Sequence, residues 1–201
     1  MFHTIVAPWY TALLEGQHVE QSMDLEPGFR ALPPAAQLAV ATAAVERILP
    51  LYVIAEGPDD VSNAPSASTI LRDATTISWL VVEGRKPTKQ DISRAMNEVT
   101  ALIPRHHDDG IAHRVCVAAT CMLEAASHNP DAALAALDAA LRAVAAYAGD
   151  DAADDERGWQ RWATRQAARA PTRTTFTSPD APRTAWRSLN ERALPLFGGQ
   201  G

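Results

Sequence analysis

Apolar residues recur every three or four positions through five separate stretches of the chain, and this spacing limits the fold more than any other feature. In the first long stretch, Leu38, Val45, Ile48 and Tyr52 follow it. Residues spaced in this way share one face of an α-helix. Roughly one residue in five is Ala and only 6% are aromatic, which favours helices over a β-sandwich or a barrel. We therefore predict an all-α fold, a single-domain bundle of about six or seven helices.

Residues that begin, break or end helices separate these stretches. Pro50 predicts a kink or an early end of the first long helix, because proline lacks the amide that would bond the carbonyl of Glu46. An acidic linker over residues 150–156 is expected before a sixth helix. The residues expected at other helix ends are Ser66 or Ser68, Gly84, Thr88 with Asp91, Asp108 or Asp109, Asn129 with Pro130, and Gly149.

The chain is expected to divide into three regions. These are an N-terminal arm with a short helix over residues 1–29, a helical domain over 30–195 and a flexible tail over 196–201. Pro8 interrupts the first apolar stretch, which also lacks a basic start, so we expect no signal peptide. No apolar run reaches the eighteen or so residues that a membrane span needs, so we expect no membrane contact.

The charge and the cysteine content of the chain make some classes of function less favourable than others. The net charge of −6 and the pI near 5.5 disfavour a nucleic-acid binder that works through a broad basic surface. Cys116 and Cys121 lie five residues apart, about 140° apart around a helix, which is too far round for a disulfide. We expect both cysteines to be buried as free thiols. Free thiols are typical of a reducing compartment, so we predict a cytoplasmic protein.

Five potential metal ligands lie within eight residues, at His106, His107, Asp108, Asp109 and His113. On a helix, Asp109 and His113 would lie four residues apart and could face one metal ion. The alternative is a polar turn whose acids cap the next helix. We favour the polar turn and predict neither a metal nor a cofactor.

Arg157, Arg161, Arg165 and Arg169 repeat every four residues and therefore share one face of a helix. Residues 151–201 carry eight arginines and six acids, whereas the rest of the chain is acidic. This basic face has three interpretations: packing beside the acidic body, docking of an acidic partner, or contact with phosphate or RNA. Packing is the favoured interpretation.

Glu46 and Arg47 place two charges inside an otherwise apolar helix. They are either exposed or part of a buried network, in which Arg47 clamps a carboxylate such as Asp73 and Glu46 accepts from a tryptophan or an amide. We predict the network, with the residues Glu46, Arg47, Pro50, Tyr52, Asp73 and Trp79.

The alternative is an enzyme or a helical bundle that binds a small molecule or a metal. Its site would combine Glu46, Arg47 and Asp73 with the residues from His106 to His113. The chain has no glycine-rich phosphate loop, no Gly-x-Ser-x-Gly elbow and no Cys-x-x-Cys. We therefore predict no enzymatic activity and no catalytic residue.

A ten-residue motif, Ala43-Ala44-Val45-Glu46-Arg47-Ile48-Leu49-Pro50-Leu51-Tyr52, precedes Ser78-Trp79, Leu102-Ile103-Pro104, Asp108-Asp109 and the Trp159 to Trp162 region. This order resembles the YjaG-like helical proteins of bacteria, a family without an established function, over roughly residues 30 to 195. Glu-Arg-x-x-Pro-x-Tyr is its most specific element. The resemblance implies an all-α bundle and carries over no catalytic residue and no cofactor.

Acidic residues form three clusters that are expected at the surface. Small acidic helical proteins of this kind are similar to immunity proteins, in which a negative surface meets the basic active site of a toxin. We therefore predict a non-enzymatic protein that binds a basic partner, such as a bacterial toxin, and we leave the oligomeric state open. The expected contact residues are Glu56, Asp59, Asp60, Asp108, Asp109, and the run from Asp150 through Asp151, Asp154 and Asp155 to Glu156.

Overall fold

The computed structural model describes residues 26–56, 65–103 and 110–187. Within these ranges the chain forms helices joined by turns and contains no strand, which confirms the predicted all-α bundle. The helices are α1 (Glu26–Arg30), α2 (Pro34–Glu56), α3 (Ala67–Val82), α4 (Lys89–Thr100), α5 (Ile111–Ala126), α6 (Pro130–Ala148), α7 (Asp150–Ala167) and α8 (Arg173–Phe176).

The central helix of the bundle is α2. It contacts α3, α5, α6, α7 and α8, and its buried residues run without a break from Ala36 to Val45. A helix that is apolar on all sides is stable only when other elements enclose it. By length and composition α2 is also long and apolar enough to cross a membrane, so the expectation that no segment meets this criterion was wrong. Its most apolar stretch is 67% buried within the bundle, and a buried core helix meets the same criterion.

Several predicted helix ends are confirmed. Thr88 and Asp91 form a complete capping box at the start of α4, and Ser66 caps α3. Gly84 follows the end of α3 with φ +75°, a conformation that only glycine adopts without strain. These signals are local, so the sequence alone places the helix ends well.

Three helix boundaries differ from expectation. The N-cap of α5 is Gly110; Asp108 and Asp109, the predicted caps, lie outside the described residues. α2 continues through Pro50 to Glu56, so the early end offered as one alternative is wrong; Leu51, just beyond the proline, is buried in the core. α7 begins at Asp150, so residues 150–156 form its first two turns and not a linker. Acidic side chains favour that position because they lie at the positive end of the helix dipole.

The core is one continuous cluster of apolar side chains. Its largest fully buried members include Trp159, Trp186 and Phe29, the last residue of the predicted arm. Cys116 and Cys121 are free and buried, as predicted. Residues 1–25 of the arm and the predicted tail lie outside the described residues.

Residues 171–187, which we call the C-terminal segment, pack back onto the bundle. Within it, α8 contacts α2 and α7. Phe176 lies beside Trp79 of α3, with the ring centroids 6.1 Å apart. Trp186 is 1% exposed. The C-terminal segment therefore contributes large apolar side chains to the same core as the long helices.

Candidate functional site

A buried ion pair joins α2 to α7. The Nε of Arg47 donates to both carboxylate oxygens of Glu156, at 3.1 and 3.2 Å, and Nη2 donates to Oε2 at 2.8 Å. The two side chains are 5% and 0% exposed. Removing a charge from water costs several kcal/mol unless a partner and further hydrogen bonds replace the lost hydration. The stability of this pair therefore depends on the groups around it.

The C-terminal segment completes the surroundings of the pair. Nη2 of Arg47 donates to Oγ1 of Thr184 at 2.9 Å, and the indole Nε1 of Trp186 donates to Oε2 of Glu156 at 3.2 Å. The guanidinium carbon lies 4.1 Å from the ring centroid of Trp159 and 5.7 Å from that of Trp186. Aromatic faces attract a cation at these distances. The ion pair thus holds three parts of the chain together: α2, α7 and the C-terminal segment.

The enclosure of Glu156 sets its ionisation. Burial raises the pKa of Glu156 above its ordinary value, and the Arg47 guanidinium and the Trp186 indole oppose that shift. A carboxyl group with a raised pKa can serve as a general acid when a substrate reaches it. Here the carboxylate is fully buried and is bound by Arg47 and Trp186, so the arrangement is suited to a structural role.

The structure corrects two members of the predicted network. Glu156, and not Asp73, is the carboxylate that Arg47 binds; Asp73 is exposed on α3. Glu46 accepts a 2.6 Å hydrogen bond from Arg173 of α8, where a tryptophan or an amide was expected. Arg47 itself is buried and paired, as predicted.

Sequence reasoning placed Glu156 among the exposed acids, and this was wrong. The signal that could have found it is its spacing from Ala152, Trp159 and Ala163, which occupy the buried face of α7 at intervals of three and four residues. The aspartates on both sides of this face obscure the pattern.

The other predicted network residues lie in or near the core. Tyr52 and Trp79 are 4% and 3% exposed, and Pro50 is half-buried. The Trp79 ring packs against Phe176. Its Nε1 has no hydrogen-bond partner in the described parts of the chain. Trp79 thus lies where α3 contacts the C-terminal segment.

The predicted surface acids divide into described and undescribed positions. Asp150, Asp151, Asp154 and Asp155 are all exposed on the first two turns of α7. Asp154 forms an ion pair with Arg157 one turn later. Glu56 is exposed at the end of α2. The remaining predicted contacts, Asp59, Asp60, Asp108 and Asp109, lie outside the described residues.

The histidine cluster is described only at His113, which is half-buried on α5. His106, His107, Asp108 and Asp109 lie outside the described ranges. Among residues 26–56, 65–103 and 110–187, no group of three or more His, Cys, Asp or Glu side chains is placed to hold a metal ion.

Three of the predicted arginines, Arg157, Arg161 and Arg165, lie along α7, and Arg169 lies two residues beyond its end. Arg157 and Arg161 are half-buried, whereas Arg165 and Arg169 are exposed. Arg157 pairs with Asp154, while Arg161, Arg165 and Arg169 have no ion-pair partner in the described ranges. α7 therefore presents acidic side chains at its beginning and basic side chains at its end.

Comparison with known proteins gives no further guide to this site, since no family model, no curated protein and no solved structure matches the chain.

Proposed function

We propose that the protein is a non-enzymatic binding protein. Its acidic surface binds a basic protein partner, as an immunity protein binds a toxin. The observation that carries this proposal is the group of exposed aspartates at the start of α7. Asp150, Asp151 and Asp155 form no ion pair within the part of the chain that the structure describes. Their charges are therefore available to another molecule.

A cluster of this kind favours binding for an electrostatic reason. Carboxylates held close together on a rigid helix repel one another, and a cationic partner relieves that repulsion. The negative potential also speeds the encounter with a basic surface and orients it. Glu56, Asp59, Asp60, Asp108 and Asp109 are the further contact residues of the proposal.

The alternative of a catalytic or small-molecule site has less support, because those of its residues that the structure describes do not come together. Arg47 is occupied by Glu156, Glu46 is paired with Arg173, and Asp73 is exposed on α3. The first two charges are thus used within the protein.

The resemblance to the YjaG-like helical proteins and the cytoplasmic location are further parts of the proposal. The motif from Ala43 to Tyr52 supports the first. Two unpaired cysteines, Cys116 and Cys121, support the second, since thiols stay reduced in that compartment.

The test compares the immobilised chain with a variant that lacks three of the available charges, Asp150→Asn, Asp151→Asn and Asp155→Asn. The matched control removes three exposed acids elsewhere, Asp73→Asn, Glu83→Gln and Asp180→Asn. Circular dichroism first establishes that both variants fold. Each is exposed to a lysate of the source cell, and captured proteins are identified by mass spectrometry.

We expect the native chain and the control to capture a basic protein. The variant with Asp150→Asn, Asp151→Asn and Asp155→Asn, which we call the α7 variant, should not capture it. Its association rate with the native chain should fall as salt is raised. Equal capture by the α7 variant and the control, or an association rate that salt does not change, would contradict the proposal.

A further inference from the structure

One outward-facing line of residues along α7 changes sign at the middle of the helix. Asp150, Asp154, Gly158, Arg161 and Arg165 fall within an arc of about 80° at 3.6 residues per turn. The acids and Arg165 are exposed, and Gly158 and Arg161 are half-buried. We call these five residues the charged stripe. It is acidic before Gly158 and basic after it.

The charged stripe is complementary to itself when two copies of α7 lie antiparallel. Asp150 and Arg165 are equally far from the midpoint of the stripe, about 11 Å at 1.5 Å per residue, and Asp154 and Arg161 are each about 5 Å from it. A two-fold axis through that midpoint places each aspartate opposite an arginine of the other copy. A parallel arrangement would place like charges together, so the pattern specifies the antiparallel one.

The midpoint of the stripe lies between Arg157 and Gly158. Gly158 is the member of the stripe nearest to it, and nothing within one chain explains a glycine there. Glycine inside a helix is destabilising relative to alanine. A side chain added at Gly158 would meet nothing within 4 Å, and its backbone has no left-handed φ. A glycine is required where another backbone approaches closely, and a second helix crossing at this point makes such an approach.

The charges of the stripe are largely unused within one chain. Asp150, Arg161 and Arg165 form no ion pair in the described ranges, and Asp154 pairs with Arg157 beside the midpoint. We propose that α7 is the contact surface of an antiparallel homodimer, in which Asp150 and Asp154 of each copy face Arg165 and Arg161 of the other. The dimer does not depend on the proposed function. A basic partner that binds Asp150 would compete with it.

The test uses two charge-reversed full-length chains. One carries Asp150→Arg and Asp154→Arg, which makes the stripe wholly basic; the other carries Arg161→Asp and Arg165→Asp, which makes it wholly acidic. Each should repel its own copy, whereas an equimolar mixture places opposite charges at every position. Sedimentation velocity measures the mass, and circular dichroism establishes that each variant is folded.

At low salt we expect the native chain to approach twice the 21.6 kDa mass of one chain. At about 1 M salt it should return to the mass of one chain, because the Debye length is then about 3 Å and the charges of the two copies are screened from each other. Each charge-reversed variant should sediment as a monomer and the mixture as a dimer. A native chain that stays monomeric at low salt overturns the proposal, and so does a mixture that stays monomeric.

A second variant tests the glycine without reversing a charge. Gly158→Gln should raise the thermal midpoint, because it adds helix propensity, and should at the same time weaken the dimer at least tenfold. Ala146→Gln, at an exposed alanine of α6, is the matched control and should leave the dimer unchanged. A Gly158→Gln chain that dimerises as well as the control overturns the proposed crossing point.

Discussion

At the scale of single residues, Arg47 and Glu156 show how this core accommodates two charges. The guanidinium donates to the carboxylate and to Thr184, and it lies over the Trp159 ring. Trp186 donates to the same carboxylate. Each group replaces part of the hydration that burial removes. Removing any one of them should therefore cost more than its own contact.

Arg47→Ala should lower the free energy of unfolding by about 3 to 5 kcal/mol, because it leaves the Glu156 carboxylate buried and unpaired. The double variant Arg47→Met, Glu156→Leu should lose less stability than Arg47→Met alone or Glu156→Leu alone, since it removes both charges at similar volume. Urea unfolding measures all four variants. Glu46→Ala is the control: its partner Arg173 is 57% exposed, so the change should cost about 1 kcal/mol or less. Additive losses in the double variant would argue against the ion pair.

The two thiols give a pH dependence with a definite sign. Burial raises the pKa of Cys116 and of Cys121 from the ordinary value of 9.0 to about 12. Between these values the unfolded chain ionises its thiols and the folded chain does not. The stability that the neutral thiols contribute is therefore complete below pH 9.0 and is lost as the pH rises through about 12.

Urea unfolding at a series of pH values in that range should show a steeper loss of stability for the native chain than for the variant Cys116→Ala, Cys121→Ala. Iodoacetamide should leave both thiols of the folded chain unmodified at pH 9.0 and should modify them in urea, because the thiolate is the reactive form. Alkylation of the folded chain at the rate of a free thiol would refute this account.

The sequence predicted that Arg47 is buried with a carboxylate, because a charge inside an apolar helix needs a partner. The carboxylate that it offered as an example, Asp73, was wrong, since Arg47 binds Glu156, 109 residues away. Glu156 also stands in a run of acids that reads as solvent-exposed. Pairings at such separations depend on how helices pack, which local spacing does not determine.

At the scale of elements, two helices end in the same backbone motif with different residues. After α3 the left-handed position is Gly84, at φ +75°; after α5 it is His128, at φ +85°. In both turns the next amide bonds back to a carbonyl of the last helical turn, from Arg85 to Leu80 and from Asn129 to Glu124. A side chain is strained in this conformation and glycine is not.

His128→Gly should therefore raise the free energy of unfolding by up to about 1 kcal/mol, and Gly84→Ala should lower it by about 1 kcal/mol. The two substitutions are matched, because they change the same position of the same motif in opposite directions. One replaces a side chain by glycine, and the other replaces glycine by a side chain. Thermal and urea unfolding measure both. A loss of stability in His128→Gly would indicate that the histidine ring makes a contact worth more than the strain.

Element ends were predictable because their chemistry is local: Gly84, and Thr88 with Asp91, were expected from the sequence. The start of α7 was not, since the aspartates over 150–155 suit a linker and a helix terminus equally well. What decides is the packing of the buried face of α7 against both α6 and α2, and α2 lies far from α7 in the chain.

At the scale of the whole molecule, the C-terminal segment is held by contacts with three helices. Arg173 binds Glu46, Phe176 lies beside Trp79, and Trp186 binds Glu156. Its own backbone forms few helical turns, so its order depends on these side chains. Such a segment can open locally while the long helices remain folded.

Trp186→Ala should accelerate amide hydrogen exchange in residues 173–187 more than in α5 and α6. The change removes a buried ring and the hydrogen bond to Glu156, a loss of about 3 to 5 kcal/mol by analogy with other buried aromatics. Exchange followed by mass spectrometry resolves the regions, and Thr174→Ala, at an exposed position of α8, is the control. Equal acceleration in all helices would show that the segment opens only with the whole bundle.

The position of α2 within the chain also has a consequence during synthesis. The ribosome releases α2 first among the long helices, yet α5, α6 and α7 enclose it, and the carboxylate that neutralises Arg47 is translated 109 residues later. A nascent chain shorter than this exposes an apolar helix with an unpaired guanidinium, the kind of intermediate that aggregates or recruits chaperones. Folding of this bundle is thus completed only once the last long helix has left the ribosomal exit tunnel.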